Sequence, residues 1–154
     1  MKGINIAEQC HLVNILPPRD GDTVQTPEVF SLRGASHVSI ILQLGVTGAA
    51  ITVTVEACDN FTPSNVSAIG FSYYSETTAA GDTIGGTRTT VASTGFATSV
   101  NDGVFYVIEI DASELPDGYP ALQLKLSDPA AATFVSAIAI LSGNRHGAAG
   151  TQIV

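Results

Sequence analysis

Glu109 and Asp111 are the residues most suggestive of chemistry. They stand in the run Tyr106-Val107-Ile108-Glu109-Ile110-Asp111, whose alternation places both carboxylates on one face of a strand. Paired carboxylates do the acid and base work of glycosidases, where they flank a scissile bond. Neighbours on one strand face point side by side instead, and the chain has no Trp to stack a sugar. The pair therefore reads as a solvated face. His11, His37 and His146 lie far apart, none beside a second His, Cys or carboxylate at a metal-ligand spacing. His37 opens an apolar run and reads as a polar residue at a strand edge. Asp20-Gly21-Asp22 and Asp59-Asn60 offer hard oxygens to Ca²⁺, but neither completes a calcium loop, and tight turns need the same residues for their own backbone. No Gly-x-Ser-x-Gly elbow is present, and Gly85-Gly86-Thr87 lacks the Lys of a phosphate loop. These readings assign no catalytic residue, no cofactor and no metal.

Charge narrows the partners. Six Lys and Arg stand against 14 Asp and Glu, a net charge of -8, and the six (Lys2, Arg19, Arg33, Arg88, Lys125, Arg145) are scattered. Direct nucleic-acid binding is not expected, because neutralised phosphates supply most of that affinity. Only 13% of the chain is charged while 45% is hydrophobic, against roughly a quarter charged in ordinary soluble proteins. So little surface charge suits a protein packed against partners. The first residues show no apolar core of a secretory signal, and no apolar run of about 20 residues exists, so neither export nor a membrane span is expected. In a reducing cytosol Cys10 and Cys58 are expected to be free thiols, a disulfide between them being the alternative. The sequons Asn60-Phe61-Thr62 and Asn65-Val66-Ser67 are then chance matches.

The elements that would position these residues are strands. Ile51-Thr52-Val53-Thr54-Val55-Glu56 alternates aliphatic with polar, as do Leu122, Leu124 and Leu126 with their neighbours. His37–Leu44, Ile69–Ser75 and Tyr106–Asp111 repeat the pattern. Thr133–Ser142 is apolar on both faces, with Phe134, Ile138 and Ile140 opposite Val135, Ala137 and Leu141, and should be a central strand or line a homo-oligomer contact. Weaker strands are expected at Cys10–Leu16, Glu28–Leu32 and Arg88–Ser93. Turn clusters separate them at Pro17–Asp22, Leu44–Gly48, Asp59–Pro63, Asn101–Gly103 and Pro116–Pro120. Ala112–Leu115 is the single helical turn, and Thr77–Thr87 reads as an exposed loop. The expected architecture is all-β, a jelly-roll or related Greek-key β-sandwich of about eight to nine strands. It occupies residues 10–142, between a flexible N-terminal arm, 1–9, and a flexible C-terminal tail, 143–154.

The run Gly103-Val104-Phe105-Tyr106-Val107-Ile108-Glu109-Ile110-Asp111, then Ala112-Ser113-Glu114-Leu115, then Asp117-Gly118-Tyr119 leading into Leu122-Gln123-Leu124-Lys125-Leu126, resembles the jelly-roll cement (head decoration) proteins of tailed bacteriophages. The resemblance implies a non-enzymatic virion protein, made in the host cytoplasm, that sits on the capsid exterior. Its partners would be the phage major capsid protein and further copies of itself, as a dimer or trimer. Contact residues are then expected in the arms and the two-sided strand: Ile4, Ile6, Phe134, Ile138, Ile140, Arg145, His146, Ile153 and Val154. Truncating the tail should weaken attachment and leave the fold intact. The alternative reading is a ligand- or carbohydrate-binding sandwich, such as a tail-associated receptor-binding domain.

Overall fold

A computed structural model describes residues 3–84 and 86–143. It is an antiparallel β-sandwich. The strands are β1 (His11–Asp20), β2 (Phe30–Ser31), β3 (His37–Thr47), β4 (Thr52–Cys58), β5 (Val66–Ile69), β6 (Phe71–Glu76), β7 (Thr89–Val91), β8 (Phe96–Ala97), β9 (Phe105–Asp111), β10 (Ala121–Leu126) and β11 (Thr133–Ser142). One sheet has the order β1-β11-β3-β9-β6-β7 and the other β2-β10-β4-β5, with β8 also pairing β4. Setting aside β6, β7 and β8, the first strand pairs with the last, β2 with β10, β3 with β9 and β4 with β5. That is a long hairpin folded over into two sheets, the jelly-roll order.

Alternation decides which side chains meet between the sheets. Val38, Ile40, Leu42 and Leu44 of β3 and Ile108 and Ile110 of β9 face Val53 and Val55 of β4 and Leu122, Leu124 and Leu126 of β10, all buried in one core. Tyr73 stacks on Phe96 with ring centroids 4.0 Å apart, and Phe96 lies 5.1 Å from Tyr106. This aromatic group sits where β8 joins the second sheet. Burial raises the Tyr106 phenol above its ordinary value, against the opposing pull of the Ser99 N–H, which donates to its oxygen at 2.6 Å.

Several expectations are corrected. Among the described residues eleven strands form, because Val66–Ile69 and Phe96–Ala97 are strands too. The expected strand Ile69–Ser75 is two elements in different sheets, and the chain changes sheet at Gly70, where a Cβ would lie 2.8 Å from the Val91 carbonyl oxygen. Pro17–Asp20 continues β1 instead of turning. The prolines are tolerated because β1 is an edge strand whose register shifts between Asn14 and Leu16 and again before Arg19. Likewise β3 runs on to Thr47, and β2 keeps only Phe30–Ser31 of the longer strand expected there. The arm carries a helical turn that the sequence reading omitted, α1 (Ile6–Gln9), while Ala112–Glu114 is helical as expected.

The loop after β6 is exposed but pinned. Glu76 is buried, and its carboxylate accepts hydrogen bonds from the Thr78 N–H (2.9 Å), the Thr83 N–H (2.6 Å) and the Thr83 hydroxyl (2.7 Å). The Thr83 and Thr78 bonds hold this carboxyl below its usual range. Cys10 and Cys58 are free thiols, the latter fully buried. Among the described residues no helix is long and apolar enough to cross a membrane.

Candidate interaction face

The two sheets present different faces to the outside. On the five-stranded sheet the outward positions of β4 and β10 are Thr54, Glu56, Gln123 and Lys125, and Lys125 Nζ lies 3.5 Å from Glu56 Oε2. The six-stranded sheet is different. Its cross-strand register lines up Asn14, Ile138, Ile41, Val107 and Tyr74 in one row over β1, β11, β3, β9 and β6. The adjacent row reads Leu12, Ile140, Ser39, Glu109 and Ser72. An aliphatic band thus crosses the middle of an open sheet, with Leu12 48% and Ile138 42% exposed and Ile41, Val107 and Ile140 half-buried by their neighbours.

At one end of this band lies a polar group. His37 pairs in register with Asp111, and Ser39 with Glu109. His37 Nδ1 is 2.7 Å from Asp111 Oδ1 and Nε2 is 2.6 Å from Glu109 Oε2, while the Ser39 hydroxyl donates to the same Glu109 oxygen at 2.6 Å. A neutral imidazole has one N–H, so two bonds to ionised carboxylates require the imidazolium. Partial burial opposes that charge, but the bonds to Asp111 and Glu109 outweigh it and raise the His37 pKa above its ordinary value. The Ser39 hydroxyl is bonded to a carboxylate and not to the imidazole, so this is not the nucleophile–base contact that activates a serine. The arrangement balances charge and ties β3 to β9.

The expected contact residues are distributed as follows. Phe134, Ile138 and Ile140 share the outer face of β11, which is an internal strand of its sheet, with Phe134 half exposed. Ile4 and Ile6 are exposed in the arm and are not among the residues of the band. Arg145, His146, Ile153 and Val154 lie outside the described residues. His37 opens β3 and Asp111 is exposed, as expected, but Glu109 is largely covered and the three side chains are not separate. β3 lies between β11 and β9, and the pairing brings the three side chains together. Ile41, Val107, Leu12 and Tyr74 were missed. A signal existed: Ile41 and Val107 are apolar at positions whose phase faces outward.

Asp59 binds its own loop. Asp59 accepts from Asn60 Nδ2, the Ser64 N–H and both nitrogen donors of Asn65, at 3.0–3.1 Å. Desolvation opposes ionisation there, yet the Asn65, Ser64 and Asn60 bonds hold its carboxyl below its ordinary value. Among the described residues no cluster of His, Cys, Asp and Glu has the geometry of a metal site.

Two adjoining hollows lie at one end of the sandwich. The larger, an open groove of about 700 Å³, is lined by Leu32, Arg33, Pro116, Tyr119 and neighbours, and the smaller adds Phe61 and Asn60.

Fold and face together define a class: a jelly-roll sandwich with one polar outer face and one crossed by an aliphatic band. No family model matches the chain and no curated protein is significantly similar to it, so a functional reading rests on the fold and the face.

Proposed function

We propose that this chain is a non-enzymatic virion structural protein that binds the outside of a phage capsid and stabilises contacts between major capsid subunits. One observation carries the reading: the aliphatic band through Leu12, Ile138, Ile41 and Val107 on an open sheet face, in a chain with only 13% charged residues. Contiguous exposed apolar surface of this kind marks interaction sites, and low charge reduces the desolvation that docking must overcome. A rigid sandwich suits a part that must hold other subunits in place. The phage decoration family is the reading to which the sequence resemblance points.

The test is co-sedimentation of the recombinant chain with capsids that lack it. Saturable binding, with capsids more resistant to heat or chelator, is the expected result. Failure to bind expanded or unexpanded shells counts against the role.

A second reading draws on the end groove. Arg33, Asn60, Phe61 and Tyr119 surround two contiguous hollows in the loops, where a sandwich can hold a small ligand. A glycan panel probed with the recombinant chain tests it, and binding abolished by Arg33→Ala and Tyr119→Ala would favour a receptor-binding role.

A further inference from the structure

We propose that the outer face of the six-stranded sheet is the interface of a symmetric dimer, and that its occupant is a second copy of this chain. The first argument is area. The rows span five strands, β1, β11, β3, β9 and β6, and seven residues along β3 from His37 to Gln43. At about 4.8 Å between strands and about 3.3 Å per residue, this is roughly 550 Å² of plan area per copy. Two copies would bury on the order of 1,100 Å², just above the roughly 1,000 Å² expected of a specific interface.

The second argument is charge. The chain carries a net -8, which opposes bringing two copies together. In the rows from His37 to Gln43 the charged side chains are His37, Glu109 and Asp111, which neutralise one another in part at one end, and Glu76 at the other, buried against Thr78 and Thr83 of its own loop, while the middle row is uncharged. The middle of this face therefore brings no charge to a contact between two copies. The outer face of the other sheet carries Glu56 and Lys125 at its centre.

The third argument is shape and stiffness. Sheets of the same right-handed twist stack face to face at about 30°, so a sheet face complements a copy of itself. Ile138, Ile41 and Val107 are β-branched and restricted at χ1, so little side-chain freedom is lost on contact. The inference uses the face that carries the capsid reading: a dimer formed through it would leave that reading on the fold and the low charge alone, whereas a monomer would leave the face free for a shell subunit.

Analytical ultracentrifugation of the full chain from about 1 to 200 µM tests it, with circular dichroism confirming the fold of each variant. The expected result is reversible conversion from the 15.8 kDa chain to twice that mass. Ile138→Lys and Val107→Lys should each shift the transition upward at least tenfold, while Thr54→Lys on the opposite sheet should not. Should a lysine variant fail to fold, Ile138→Thr and Val107→Thr provide the same comparison at smaller amplitude. A wild-type chain that stays monomeric throughout, an assembly of another size, or a dimer indifferent to both substitutions would overturn the proposal. A face kept for a shell subunit alone would give the monomeric result.

Discussion

His37 Nε2 lies 2.6 Å from Glu109 Oε2 across the β3–β9 boundary, a diagonal contact made possible because His37 pairs directly with Asp111 and Ser39 with Glu109. The bond joins two central strands beside the aliphatic band. It depends on the charge of the imidazole, and so on pH.

The folded-state pKa of His37 is raised above its ordinary value of 6.5, so its contribution is fully present below about pH 6.5 and is lost as pH rises through the folded value. His37→Gln should lower stability by up to about 1 kcal/mol at pH 5.5, the range of partly exposed ion pairs, and by almost nothing at pH 9. Urea titrations of both proteins across that interval check this. A difference that stays constant with pH would contradict it.

Glu76 holds the loop after β6 through Thr78 and Thr83. Glu76→Ala should free that loop while the two sheets remain paired. Trypsin should then cleave after Arg88, at the far end of the loop, several-fold faster than in the native chain. Equal cleavage rates would show that the three hydrogen bonds do not restrain the segment.

Gly95 has φ +73°, and a Cβ there would collide with the Val53 carbonyl oxygen. Gly95→Ala should destabilise the fold by about 2 kcal/mol or more, through strain and displacement of β8 from β4. Leu124→Ala, which empties a fully buried site, should cost about 2–5 kcal/mol. Chemical denaturation measures both, and a Gly95→Ala loss under about 0.5 kcal/mol would argue against the close approach of Gly95 to Val53.

Cys58 is fully buried, and burial, with help from Glu56 and Asp59, pushes its thiol up to about 11. Cys10 is only half-buried. At pH 8 a thiol reagent should label one cysteine per native chain within minutes and two after denaturation, and Cys10→Ser should remove the fast phase. Rapid labelling of Cys58 in the native state would show that the β4 end opens readily.

The strands that alternate cleanly were legible because one face is buried: Val38 to Leu44, Val53 and Val55, and Leu122 to Leu126 carry their orientation in the sequence. Breaks in the sheets were not legible. Gly70 divides an apparently continuous strand because the chain must change sheets there, a requirement set by the rest of the fold. Pro17 and Pro18 read as a turn because local preference does not record that β1 lies at an edge. The His37–Glu109–Asp111 group is formed by residues more than 70 positions apart in sequence, and only the β3–β9 register joins them. The aliphatic face was half legible: β11 announced Phe134, Ile138 and Ile140, whereas Ile41 and Val107 were hidden in strands whose inward positions are also aliphatic.

Quantitative mass spectrometry of purified virions from the phage or lysogen that encodes this chain tests the proposed role most directly. The account predicts a copy number comparable to that of the major capsid subunit. Absence from virions, or a presence of only a few copies, would contradict it and favour the ligand-binding reading.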